Sequence, residues 1–253
     1  MAERPAKIRA IRGVKDVLPS EVHLWQRVEE TARELFHRYG FREIRIPIFE
    51  KTELFARGIG EGTDIVAKEM YSFEDKGGER ITLRPEATAS ICRAYVEHRL
   101  FDLPGLAKLY CLGPMFRYER PQAGRYRQFY QLNAEAFGTE DPSLDAEVLT
   151  LVWELFGALG IGGLTLVLNS LGCPRCRPAH GESLRAYLQG QREALCEDCR
   201  RRAEVNPLRA LDCKNKSCRP ILDRAPSVED FWCEECRAHL EALRGMLKRG
   251  GVP

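Results

Sequence analysis

Apolar residues recur near helical spacing from Glu21 to Tyr39, where Leu24, Val28, Thr31, Leu35 and Tyr39 share one side. The spacing predicts an amphipathic helix, with Ser20 as its N-cap and Gly40 as the C′ residue that ends it. The period then changes. Phe41, Ile44, Ile46 and Ile48 read as one strand, and Pro47, which has no N–H for a ladder, confines it to an edge or a bulge. Leu54 to Thr63 reads as loop and short helix around Gly58, Gly60 and Gly62. Tyr71-Ser72-Phe73 and the run from Arg80 to Arg84 flank a Gly-rich turn and predict a hairpin. A helix follows from Ala87 to His98, and Glu86 stands at its start, where the dipole favours an anion.

Leu106 to Gly138 is the most informative stretch, reading as strand, basic loop, strand. The first arm, ending at Tyr118, is apolar and aromatic. The tip, Glu119 to Arg127, carries Arg120, Pro121, Gly124, Arg125 and Arg127. The second arm, Gln128 to Phe137, alternates: Phe129, Gln131, Asn133 and Glu135 fall on one face, Tyr130, Leu132, Ala134 and Ala136 on the other. Gln and Glu do not face a core without partners. Three arginines beside that face suit an anionic ligand such as a phosphate or nucleic acid; a solvated exposed hairpin is the plainer reading. Beyond it, Thr139 to Pro142 reads as cap and turn. A helix to Ala158 then places Leu144, Val148, Leu151, Val152 and Leu155 in a core, and Leu164 to Leu168 reads as a strand.

Bulk composition changes this picture only in places. The 253 residues allow one large domain or two modest ones, and 44% hydrophobic residues suffice for a core. With 39 basic against 37 acidic side chains, only a local patch could argue for nucleic acid. No apolar run approaches the ~20 residues of a membrane span, and Met1 to Arg12 lacks the apolar core of a secretory signal, so a cytoplasmic protein is expected. Of ten cysteines, eight lie beyond Gly172, and the composition shift there predicts domains at 1–171 and 172–253. They pair as Cys173/Cys176, Cys196/Cys199, Cys213/Cys218 and Cys233/Cys236. Pairs at this spacing suit tetrahedral zinc, two pairs to an ion. Joining neighbours, Cys173/Cys176 with Cys196/Cys199 and Cys213/Cys218 with Cys233/Cys236, is one arrangement; crossed arrangements are equally allowed. Redox dithiols and inert buried thiols are the alternatives, and Cys92 and Cys111 read as packing residues.

Phe116-Arg117-x-Glu119, a loop, then Gly124-Arg125-Tyr126-Arg127-Gln128-Phe129 resembles motif 2 of class II aminoacyl-tRNA synthetases. The long helix, Gly40, strand and Pro47 resemble motif 1, which in that family builds a homodimer interface. Arg84-Pro85-Glu86-Ala87-Thr88 is similar to the Arg-Pro-Glu-Gly-Thr element of the histidyl-tRNA synthetases, with Ala87 where Gly is common. The resemblance to that family runs from about Ile11 to Val252. It implies an α+β fold: an antiparallel sheet flanked by helices, incomplete here, with a Cys-rich, mostly helical subdomain.

The resemblance also implies a chemistry. Histidine and ATP, the latter with Mg²⁺, would give histidyl-adenylate, and a tRNA would then take the histidyl group. Arg117 is the implied catalytic residue, contacting ATP and the amino-acid carboxylate. Glu86, Ala87, Thr88, Gln131 and Glu135 would join Arg117 around histidine. Glu119, Arg125 and Phe129 would join it around ATP, Glu119 on the adenine amino group and Phe129 on the ring. Arg120, Arg125 and Arg127 would meet the tRNA. Any zinc on the cysteines would be structural and dispensable to the reaction. Histidyl enzymes continue with an Arg-Gly-Leu-Asp-Tyr-Tyr element, the motif 3 arginine and an anticodon-binding domain, none of which is in this sequence. The chain is therefore expected to be weakly active or inactive alone. Two other readings remain: a synthetase-like regulatory subunit of histidine biosynthesis, and a zinc-stabilised tRNA-binding module using Arg200-Arg201-Arg202, Lys214 and Lys216. The complete histidine-pocket and motif 2 set leans against the first of these.

Overall fold

A computed structural model describes residues 8–59 and 65–253; Gly60 and Gly62 of the predicted glycine-rich loop lie outside them. Two compact units emerge: Met1–Glu140 with Leu151–Gly162, and Asp141–Thr150 with Gly163–Pro253. Gly172 falls inside the second.

In the first unit the leading helix, α1, spans Val22–Arg38. Ser20 does not cap it. Glu21 holds the N-cap position without a side-chain bond to the helix N–H groups, and the Leu18 carbonyl closes the first turn instead, accepting from the Glu21 and Val22 N–H groups at 2.9 Å. The buried stripe is Ala32, Leu35 and Phe36, whereas the expected face positions Leu24 and Val28 are exposed. Gly40 ends the helix as expected, at φ +76°, which a side chain would resist.

The single strand predicted after Gly40 is instead two short ones, β1 (Arg42–Glu43) and β2 (Phe49–Lys51). The break has a physical cause. Pro47 offers no N–H, and the buried Arg84 guanidinium takes up the local carbonyls, donating from Nη1 to Ile46 O at 2.8 Å and Pro47 O at 3.3 Å. A short helix, α2 (Thr52–Ile59), follows β2. The predicted hairpin is β3 (Tyr71–Glu74) and β4 (Arg80–Leu83), and α3 (Thr88–Glu97) comes next. The long hairpin is β5 (Ala107–Phe116) and β6 (Gln128–Phe137), in register from Ala107 opposite Phe137 to Phe116 opposite Gln128.

These strands make two three-stranded sheets, ordered β1-β5-β6 and β2-β4-β3. All pairs are antiparallel except β1 with β5. The central β5 alternates between two packed faces. Tyr110 stacks on Phe36 of α1, ring centroids 4.5 Å apart, while Cys111 and Met115 join Ile46, Ala87 and Ile91 in a buried cluster. This is the mixed α and β architecture expected from the resemblance.

Helix α4 is Pro142–Ala158, opened by Asp141, whose Oδ1 accepts from Ser143 N at 2.8 Å. Leu144, Leu151 and Leu155 are buried; Val152, expected in the core, is exposed. The strand expected at 164–168 does not form, and Val167 is 83% exposed. β-branched residues make a strand only where another backbone supplies the ladder, and no described strand pairs with this segment.

The second unit is helical: α5 (Cys176–Gly190), α6 (Glu197–Val205), α7 (Arg219–Leu222) and α8 (Glu234–Arg249). Leu184 and Leu188 of α5 pack with Leu195, Ala203, Ala210 and Leu222, and Cys199, Cys213 and Cys218 lie in the same cluster. No described helix is long and apolar enough to cross a membrane.

Candidate active site and cysteine clusters

Arg117 follows directly on β5, so its side chain leaves a paired strand rather than a free tip. Its Nε donates to Pro85 O at 2.8 Å, and its guanidinium lies over the Phe129 ring, 5.2 Å from the centroid. Pro85 immediately precedes Glu86. A cation and a carboxylate are thereby fixed on either side of one peptide unit. Phe129 sits opposite Met115 in the ladder and packs on the buried cluster, so its position is set by the core.

Glu86 turns back on α3. It accepts from Thr88 N at 2.5 Å (Oε2) and Ala89 N at 3.0 Å (Oε1), so one carboxylate closes two free N–H groups of the helix start. Glu86→Ala should therefore cost about 1 kcal/mol of stability, as cap losses do, read as a lower denaturant midpoint at unchanged slope. Ala87 is fully buried. Thr88 Oγ1 donates to Glu135 Oε1 at 2.6 Å, joining α3 to β6. Glu86, Thr88, Leu54, Arg57, Cys92 and Arg93 line part of a cavity of about 910 Å³. On the β6 face shared with Glu135, Gln131 Oε1 and Asn133 Oδ1 are buried and meet no hydrogen-bond donor among the described residues. Buried polar atoms without partners are costly, and a ligand donor is one way to satisfy them.

Burial pushes the Glu135 carboxyl above its ordinary range; the Glu86 charge adds to this and the Thr88 hydroxyl opposes it. A carboxyl with a raised folded-state value binds its proton more tightly in the folded chain. Its contribution to stability is full below the ordinary carboxylate pKa and declines as pH rises through the window up to the raised value. Glu135→Gln keeps an acceptor for Thr88 and removes the titration. The variant is expected to be the more stable at neutral pH, with the gap closing in acid. Urea midpoints across that window check this, and a gap independent of pH would contradict it.

At the loop tip, Gly124 takes φ +76°, which permits the tight turn linking Gln122 and Arg125. Arg125 Nη1 lies 3.2 Å from Glu119 Oε2, so two of the four residues expected around ATP pair with each other. Arg127 stacks over Tyr118, 4.1 Å from the ring centroid, and its N–H donates to Gly13 O at 2.6 Å. Gly13 is itself constrained, with φ +89° and no room for a Cβ against the Arg127 side chain. Arg120, Arg127, Arg12, Tyr118, Glu119 and Pro121 line a recess of about 410 Å³. The structure thus brings Arg117, Phe129, Glu86, Thr88 and Glu135 into one connected group, and Glu119, Arg120, Arg125 and Arg127 into another at the tip. Sequence reasoning missed Gly13 and Arg84. Gly13 lies before the first predicted element, and Arg84, though part of the element similar to Arg-Pro-Glu-Gly-Thr, was given no role of its own.

The eight C-terminal cysteines gather in two groups, Cys173, Cys176, Cys233 and Cys236, and Cys196, Cys199, Cys213 and Cys218. The pairing is nested, and the neighbour arrangement is not the one formed. The N–H groups of Arg175 and Cys176 lower the Cys173 thiol to about 6. Cys111 is buried and Cys92 half-buried. Each arginine of the basic run has a hydrogen-bond or ion-pair partner within the second unit. Arg200 donates to Leu195 O and Glu193 O, Arg201 pairs with Asp198, and Arg202 donates to Arg209 O.

A family model described as histidyl-tRNA synthetase matches residues 13–212. The histidine–tRNA ligase of Solibacter usitatus is 54% identical over 245 residues, 97% of this chain and 59% of that protein. That of Geobacter sulfurreducens is 55% identical over 245 residues, with the same coverage. The chain therefore spans about three-fifths of the length of these relatives. Among solved structures, apo histidyl-tRNA synthetase of S. aureus matches with a TM-score of 0.78 and 39% identity over 98% of this chain and 56% of that one. A Bacillus halodurans protein described as an ATP phosphoribosyltransferase regulatory subunit/histidyl-tRNA synthetase shares the fold, at TM-score 0.66 and 19% identity over 99% of this chain and 67% of that one. The family match over residues 13–212 and relatives at more than half identity show that the chain belongs to the histidyl-tRNA synthetase family.

Proposed function

We propose that this chain carries the ATP- and histidine-binding core of a histidine–tRNA ligase, whose reaction activates histidine with magnesium-bound ATP and passes it to tRNA. The observation that carries this reading is the seat of Arg117, held at Pro85 O beside Glu86 and over Phe129. A planar guanidinium in a fixed position suits the two oxygens of an α-phosphate or carboxylate. On the other side, Glu86 and Glu135, with Thr88 between them, suit the ammonium and imidazole N–H groups of histidine. Gln131, whose Oε1 has no donor, completes that set. Phe129 and Glu119 serve adenine, and Arg120, Arg125 and Arg127 serve distal phosphates or the tRNA acceptor end.

The family's homodimer is part of the same proposal. Leu24, Trp25 and Val28 of α1 and Tyr130 and Leu132 of β6 are exposed apolar residues, and the Trp25 and Tyr130 rings meet edge to face at 4.8 Å. A contiguous apolar surface of this kind, in the same unit as Pro47, suits a second copy. Structural zinc in the second unit would stay outside the chemistry, and the setting is cytoplasmic.

ATP–pyrophosphate exchange with each standard amino acid tests the function. Weak exchange that depends on histidine alone is the expected signature of this portion of the ligase. Exchange with a different amino acid would overturn the specificity, and histidine binding without any exchange would turn the reading towards a binding subunit.

A further inference from the structure

Each of the two cysteine groups has the form of a tetrahedral ligand set. Within each group all four sulfur atoms lie within 4.8 Å of one another. The separations are 3.6 Å for Cys173–Cys176, 3.9 Å for Cys173–Cys233, 3.9 Å for Cys176–Cys236 and 3.8 Å for Cys196–Cys213. Four thiolates at the usual Zn–S distance of about 2.3 Å form a tetrahedron with edges of about 3.8 Å. A disulfide would join each sulfur to one neighbour and leave the other approaches unexplained. An iron–sulfur cluster is wider than one ion and would hold its thiolates further apart.

The backbone around the sulfurs points the same way. Cys196 and Cys233 are extended, at φ/ψ −66°/160° and −70°/167°, and each immediately precedes a helix. The second cysteine of each pair, Cys199 or Cys236, then returns from the first turn. Main-chain N–H groups are aimed at sulfur: Cys233 N to Cys176 Sγ at 3.1 Å, Cys196 N to Cys218 Sγ at 3.2 Å and Asn215 N to Cys213 Sγ at 3.4 Å. Two of these bonds cross between pairs of the same group. Donors of this kind stabilise the negative charge of metal-bound thiolates and orient them. Four soft thiolates exclude magnesium and calcium, which take oxygen ligands, and suit zinc.

We propose that the second unit holds two structural zinc ions in nested sites, one on Cys173, Cys176, Cys233 and Cys236 and the other on Cys196, Cys199, Cys213 and Cys218. The outer ion ties the first turn of α5 to the first turn of α8. The inner ion closes the loop from α6 to Cys218 inside it. The two outer pairs lie sixty residues apart in sequence, so binding the ion becomes part of folding the segment. This inference is independent of the ligase reading; a chain without synthetase activity would hold the ions equally well.

Metal analysis of the purified 253-residue chain is the test, with two zinc atoms per chain expected. Replacing Cys173, Cys176, Cys233 and Cys236 together by serine should leave one zinc, and the inner four replaced together should also leave one. If neighbours paired instead, either quadruple variant would lose both ions. A variant that fails to fold is covered by a measurement on the wild-type chain. Graded zinc removal with a chelator, followed by alkylation and peptide mapping, should expose cysteines in the two nested sets. Mixed sets, iron in place of zinc, or a folded chain that stays below one zinc when supplied with it would overturn the proposal.

Discussion

Replacing Arg117 with alanine is expected to lower histidine-dependent ATP–pyrophosphate exchange by about 10²–10³-fold, the loss usual for one preorganised charge-stabilising donor, or about 3–4 kcal/mol of barrier. The fold should tolerate the change. Arg117 is half-buried just past the end of β5, and among the described residues its side-chain hydrogen bond is to Pro85 O, outside any strand ladder. The loss is therefore assigned to the ligand. Arg117→Lys should recover little, because an ammonium supplies a point charge where a fork meets two oxygens. A non-hydrolysable histidyl-adenylate analogue gives a readout free of turnover: its affinity should fall with Arg117→Ala while the melting temperature stays within a degree or two. Unchanged exchange and unchanged analogue binding would remove Arg117 from the site.

The second large effect is structural. Arg84→Met should destabilise the first unit by about 3 kcal/mol or more, since unpaired buried acceptors cost about 1–3 kcal/mol each. Arg84 is 4% exposed, and its side chain donates to three carbonyls: Pro114 O from Nε at 2.8 Å, and Ile46 O and Pro47 O from Nη1. Burial pulls its pKa down, so the charge is a cost in itself. Exchanging a buried charge for an apolar side chain is favourable only when its partners go too, and here the carbonyls remain. At about 2–4 °C per kcal/mol, a fall of about 10 °C in melting temperature follows. Gly113→Ala should act on the same contact, because a Cβ there would lie 2.6 Å from Arg84 Nη2. An unfolding midpoint equal to wild type for Arg84→Met would mean that water satisfies these carbonyls and that Arg84 does not hold the β1–β2 break in place.

Arg84 also shows why only part of the site was legible beforehand. Its three acceptors lie thirty or more residues away in the chain, and no local pattern announces them. By contrast, Phe129 and Glu135 could be placed from the alternation of β6, and Arg117 from the motif that ends β5. Alternation is a local property, and a polar residue on a face that also carries Phe129 marks a site.

Local chemistry determined the ends and partners that lie close in the chain. Gly40 ends α1 because a residue at positive φ is cheapest as glycine. The β3–β4 and β5–β6 hairpins follow from turn residues between alternating arms, and the Cys pairs from short spacings. Tertiary structure alone decided what depends on distant backbone. The segment at 164–168 has strand residues but no described strand beside it. The run from Phe41 to Ile48 is split by carbonyls turned to a guanidinium. The buried face of α1 is set by Phe41 and Tyr110 rather than by the even spacing of Leu24 and Val28. Cysteine pairing belongs to the same class. Spacing makes each pair a bidentate unit, but whether outer meets outer or neighbour meets neighbour depends on how α5, α6 and α8 pack, and side-chain burial across sixty residues is not encoded in any two of them.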